Sequence, residues 1–70
     1  MVEKTIELTG ISANSIEDAV KLAVTRAAVT IEGIRQAQLA DVTATIENGT
    51  VVAWRVKMKV TFGVRDRVHE

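Results

Sequence analysis

The residues able to do chemistry in this chain of 70 are few and badly placed for catalysis. The only histidine, His69, stands next to the last residue, and there is no cysteine. Thiolate metal sites and disulfides are therefore excluded, and one chain cannot supply a zinc site built on several histidines. A Ser-His-Asp triad would need the tail to fold back onto Ser12 or Ser15. Gly10, Gly33, Gly49 and Gly63 are too far apart for a phosphate-cradling loop. Asp41 and Glu47 share a predicted strand but do not form an acid/base couple. Either could hold a hard cation at a symmetry axis, where every subunit offers the same residue. Trp54 could stack on a planar ligand, though among aliphatic neighbours it reads first as core or interface. Arg55, Lys57 and Lys59 form a basic stripe. Nine Lys/Arg balance nine Asp/Glu, however, so the net charge is zero and a nucleic-acid partner is not expected. Nothing supplies an evident base or nucleophile, and an enzyme is not expected.

The elements that must carry these residues are legible in the hydropathy pattern. Val2, Ile6 and Leu8 alternate with Glu3, Thr5, Glu7 and Thr9, with Lys4 intruding on the apolar side, which predicts a half-buried strand ended by Gly10. Ser12-Ala13-Asn14-Ser15 is rich in capping residues, and Ser15 with Asp18 resembles a capping box carrying the shorter acid. From Ile16 the period becomes helical. Ile16, Val20, Ala23, Val24, Ala27 and Ile31 form one apolar stripe, so a helix is expected over about 15–32 with Gly33 as its stop. Leu22 and Val29, seven apart, would stack on the opposite side as a second contact line. Residues 35–47 predict a strand whose apolar phase flips near Ala40-Asp41, the mark of a bulge. Asn48-Gly49 then suits a type I′ hairpin turn. Val52, Trp54, Val56, Met58, Val60, Phe62 and Val64 make the third strand apolar on one face. The tail from Arg65 to Glu70 is mostly charged and expected to be loose.

The order is β-α-β-β, one α+β domain over 1–70. Placing the longest strand in the centre gives the sheet order 1-3-2, wrapped around one helix, with a right-handed crossover between the first two strands. Glu3 and Glu7 would then face Arg55, Lys57 and Lys59 across the strands, accounting for the basic stripe as a solvated charge ladder. The third strand would run about 40 Å at ~3.3 Å per residue, and the helix only about 27 Å at ~1.5 Å per residue. One helix cannot cover that face, and so short a chain has little other core. An obligate oligomer is expected, using Leu22, Val29, Trp54 and Phe62. There is no apolar run long enough for a transmembrane helix and no apolar signal segment after Met1-Val2-Glu3-Lys4-Thr5. No membrane partner is expected, and the cytoplasm is the expected compartment.

Nearly the whole chain resembles the dodecins, small flavin-binding proteins. The resemblance rests on Glu7-Leu8-Thr9-Gly10, on the Ser12 region leading into Ser15-Ile16-Glu17-Asp18-Ala19, on Arg26-Ala27, and on the run from Trp54 to Phe62. It implies a strand-helix-strand-strand fold assembled as a hollow homododecamer that binds FMN or riboflavin. In flavin-binding dodecins a tryptophan early in the second strand stacks on the isoalloxazine ring, and the matching position here is Gln36. A glutamine of the third strand that bonds the flavin's polar edge is matched by Arg55, which donates but cannot accept. Asp41 falls where some members carry an acid near the ligand's side chain, and Gln38 is counted with the flavin-site equivalents. By analogy with base–aromatic stacking, worth ~1–3 kcal/mol, loss of the ring would weaken flavin about tenfold to a hundredfold. The segment Ile34-Arg35-Gln36-Ala37 and the pair Trp54-Arg55 are similar to a calcium-associated subgroup without that tryptophan. The resemblance thus implies a storage cage with a degenerate flavin site. The alternative is a genuine flavin-storage dodecin in which Arg55 stacks on or pairs with the ring.

Overall fold

A computed structural model of the chain describes residues 2–64. Strand β1 spans Val2–Ser12, helix α1 Ile16–Ala27, β2 Ile34–Glu47 and β3 Thr50–Val64. The expectations for His69 and for the charged tail lie outside the described residues. The sheet is antiparallel in the order β1-β3-β2, as the strand lengths require. Asn48 and Gly49 turn the hairpin with φ of 51° and 74°, the left-handed pair that a type I′ turn needs.

Register divides the sheet into two faces. Leu8 lies opposite Met58, which lies opposite Leu39, and this face carries the helix. Thr9 lies opposite Lys57, which lies opposite Asp41, and this face is polar. The phase flip read from the sequence is a register shift between Leu39 and Asp41. Without it Asp41 would turn to the helix side, because successive strand residues point to opposite faces. A second shift between Ile34 and Gln36 keeps Ile34 in the apolar cluster and sends Gln36 to the polar face, with Arg35 as the extra residue. A third lies between Thr45 and Ile46.

Two boundaries differ from the sequence reading. Gly10 does not end β1, which continues to Ser12. It is buried where α1 crosses the strand, and a Cβ there would overlap the Ala19 carbonyl oxygen. The helix ends at Ala27 and not at 32. The run Val29-Thr30-Ile31 is β-branched and a poor helix former. The amides of Ala28, Val29, Thr30 and Ile31 bond back to carbonyls of Val24, Arg26 and Ala27 and close the last turn. Val29 and Ile31 therefore lie past the helix, so the expected Leu22–Val29 line on its back does not form.

The entry to α1 also departs in detail. Ser15 caps the helix by accepting from the Asp18 amide at 2.9 Å, as expected. The Asp18 carboxylate does not return to Ser15; it accepts from the buried Ser12 hydroxyl at 2.7 Å. Ser12 in turn accepts from the amides of Asn14 (2.9 Å) and Ser15 (3.4 Å), so one hydroxyl ties strand, turn and helix together.

The core is short. Ala19, Val56, Met58 and Val60 are fully buried, with Ile6, Leu8, Ile16, Val20, Ala23, Val24, Ile34 and Ala37 packed around them. The helix packs on β1 and β3. Fifteen residues carry β3 over about 50 Å, against about 18 Å for the twelve of α1. The described chain is accordingly drawn out, with extents of 59 × 20 × 12 Å. Leu39 and Val42 are left exposed on β2, and Ile46, Val51 and Val52 are exposed at the hairpin end, where β1 no longer runs beside β3.

Candidate functional site

The polar face of the sheet gathers the candidate residues. Gln36, Gln38, Asp41 and Thr43 come from β2, in line with Thr61, Lys59, Lys57 and Arg55 of β3. Thr5, Glu7, Thr9 and Ile11 of β1 complete the rows. All four of the expected flavin-site positions, Gln36, Gln38, Asp41 and Arg55, therefore share one face, and all four are exposed.

Within one chain they do not form one site. Asp41 and Arg55 line a single cavity of about 180 Å³ together with Thr9, Thr43 and Lys57. Gln36 stands opposite Thr61, six residues along β3 from Arg55, which is about 20 Å away. Gln38, opposite Lys59, lies between them. A ligand touching both Gln36 and Arg55 would bridge two copies of the chain.

Of the charge ladder expected from the sequence only one rung forms in register: Arg55 and Lys57 lie opposite Ile11 and Thr9, and Glu3 lies opposite Gly63. Glu7 faces Lys59, but no ion pair within 4 Å joins β1 to Arg55, Lys57 or Lys59 among the described residues. Glu3 instead accepts from Arg35 at 3.3 Å. Arg35 reaches it across the middle strand because Gly63 has no side chain there: a Cβ would stand 3.1 Å from its guanidinium. Sequence reading did not single out this clasp. Its signal is a glycine in an otherwise bulky strand, opposite a bulge.

Aromatic side chains are absent from the polar face. The whole chain has one tryptophan, one phenylalanine and no tyrosine. Trp54, opposite Ser12 and Ala44, and Phe62, opposite Lys4, both belong to the helix-side face. Each is half-buried at one end of the stretch that α1 covers. Leu22 and Val29 are exposed, Val29 by 78%. Leu22 also lines a shallow groove between α1 and β1 with Leu8, Ile11, Ala23, Arg26 and Ala27. No cluster of three or more Asp, Glu, His or Cys able to hold a metal occurs among the described residues. No described helix is long and apolar enough to cross a membrane.

A three-stranded antiparallel sheet around one helix, with a polar face turned away from it, is the frame of a small binding domain. The comparisons make the assignment specific. The dodecin family profile matches residues 2–65, and the chain belongs to the dodecin family. It is similar to the dodecin of Streptomyces coelicolor, with 31% identity, a TM-score of 0.87 and 93% of each chain covered. It is also similar to a Thermus thermophilus protein, with 28% identity, a TM-score of 0.88, and 93% of this chain and 96% of that one covered. A calcium dodecin of Mycobacterium tuberculosis, described as calcium-chelating with a novel calcium-binding site, matches over 100% of both chains at 28% identity and a TM-score of 0.81. No curated protein matches the chain.

Proposed function

We propose that this chain is a ligand-binding, non-enzymatic dodecin that assembles as a homododecameric cage and whose flavin site is degenerate. The observation that carries this reading is the aromatic-free polar face: Gln36 stands where the family resemblance puts the stacking ring, and Trp54 and Phe62 lie on the other side of the sheet. The residues present do not fit a stacked isoalloxazine. Arg55 in the other flavin position offers donors only. The assembly is supported by the mismatch between a strand of about 50 Å and a helix of about 18 Å. A second copy would cover the exposed Leu39, Val42, Ile46 and Val51. Leu22, Val29, Trp54 and Phe62 are the interface residues of this reading.

The likeness to a calcium dodecin raises calcium as a second ligand. With no metal-ligating cluster among the described residues, calcium at the sheet would need carboxylates of several copies, Asp41 or Glu47 being the candidates.

Flavin fluorescence quenching tests the proposal. Wild type is expected to bind FMN and riboflavin weakly, and Gln36→Trp to bind about tenfold to a hundredfold more tightly. Tight quenching by the wild type would favour flavin storage through Arg55. No gain in Gln36→Trp would show that the pocket has been placed at the wrong positions.

A further inference from the structure

We infer that the Asn48-Gly49 turn is a site of spontaneous covalent modification, at which Asn48 loses its side-chain amide through a cyclic imide and leaves isoaspartate at the tip of the hairpin. The inference is independent of the ligand and assembly readings above.

The chain has two asparagines, Asn14 and Asn48. Both are exposed, so access of water does not separate them. What separates them is the amide that follows. Asparagine is thermolabile, because the backbone nitrogen of the next residue can attack its side-chain carbonyl carbon. After Asn14 that nitrogen belongs to Ser15 and donates to the Ser12 hydroxyl oxygen at 3.4 Å. Ser15 is held further as the helix cap: its hydroxyl accepts from the Asp18 amide at 2.9 Å and its carbonyl from the Ala19 amide at 3.1 Å. After Asn48 the nitrogen belongs to Gly49. Among the described residues neither the Gly49 amide nor the Asn48 carboxamide makes a hydrogen bond. A Cβ at Gly49 would meet nothing within 4 Å, so no neighbour shields the nitrogen. Its φ of 74° lies in a region where glycine moves without the steric cost other residues carry.

The steps balance with water as the only co-reactant. The Gly49 nitrogen gives up its proton to hydroxide and bonds to the Asn48 Cγ. The bond from Cγ to the side-chain nitrogen breaks, and that nitrogen takes a proton from water and leaves as ammonia. Water then opens the imide. Attack at Cγ leaves aspartate. Attack at the main-chain carbonyl leaves isoaspartate, in which the chain runs through Cβ. Either product sets a new carboxylate next to Glu47. Isoaspartate also adds a backbone atom to a two-residue turn that closes on the Glu47–Thr50 pair.

Warm incubation of the full chain at neutral and at alkaline pH, followed by tryptic peptide mapping, tests this. Circular dichroism identifies the conditions under which the chain stays folded, and only those are used. Cleavage after Arg35 and Arg55 leaves Asn48 as the one asparagine of residues 36–55, and cleavage after Lys4 and Lys21 leaves Asn14 as the one asparagine of residues 5–21. Fragment 36–55 is expected to gain the mass of –NH2 exchanged for –OH, faster at alkaline pH, while fragment 5–21 keeps its mass. The gained material should accept a methyl group from a protein-isoaspartyl carboxyl methyltransferase. Asn48→Asp keeps a turn residue that the hairpin accepts and should abolish the mass gain. Equal gain in both fragments, gain only in the urea-denatured chain, or gained material that accepts no methyl group would overturn the proposal.

Discussion

Substituting Gly10 by alanine should cost more than its one added methyl suggests. The new Cβ would overlap the Ala19 carbonyl oxygen, and it would lie 2.9 Å from the carbonyl carbon and 3.2 Å from the Ala23 Cβ. Two of these three contacts are helix backbone, which cannot rotate away. The helix must lift off β1 by about 1 Å, a gap that forfeits a quarter to a half of each contact's dispersion energy. Among the described residues Ala19 is one of four fully buried apolar side chains, so few other contacts hold the helix down. Overpacking of this kind costs about 1–3 kcal/mol, and the backbone contacts place Gly10→Ala at the upper end. Gly63→Ala is the matched control. Its Cβ meets only the flexible guanidinium of Arg35, at 3.1 Å, so it should cost under about 1 kcal/mol. Urea unfolding followed by circular dichroism, at one protein concentration because oligomers unfold concentration-dependently, measures both. A Gly10→Ala variant within about 0.5 kcal/mol of wild type would show that the helix does not press on β1 at this position. A Gly63→Ala loss as large as that of Gly10→Ala would show that contact with helix backbone does not set the cost.

Ser12→Ala removes the 2.7 Å bond to Asp18 and the acceptor of two amides, and should destabilise by about 1–2 kcal/mol in the same assay. Arg35→Ala breaks a half-exposed pair with Glu3 and should cost under about 1 kcal/mol, with the loss shrinking at high salt. Met58→Ala empties the largest fully buried position and should cost about 2–5 kcal/mol, read from the denaturant midpoint.

The strand order was legible because β3 carries an unbroken apolar alternation and because Asn48-Gly49 admits one kind of turn. The bulge at Leu39/Asp41 was legible as a change of phase, and it matters to the site because it turns Asp41 toward Lys57. The end of the helix was not legible from periodicity alone. Ile31 continues the 3.6-residue stripe, but three β-branched residues in succession from Val29 outweigh it. The role of Gly10 was misread because a glycine after an alternating run looks like a terminator. Whether a glycine stops a strand or admits a helix depends on what crosses it, and Ala19 is nine residues away. The polar-face positions of Gln36, Gln38 and Asp41 follow from two register shifts in β2, and that of Arg55 from the alternation of β3. Alternation within one strand cannot give their spacing across the sheet.

In the proposed function the chain closes its uncovered apolar face by assembly, while its polar face lacks a ring to hold flavin. Native mass spectrometry of the freshly purified protein reads both parts at once. A twelve-subunit mass with no retained flavin is expected. A folded monomer would contradict the assembly, and a twelve-subunit mass carrying flavin would contradict the degenerate site.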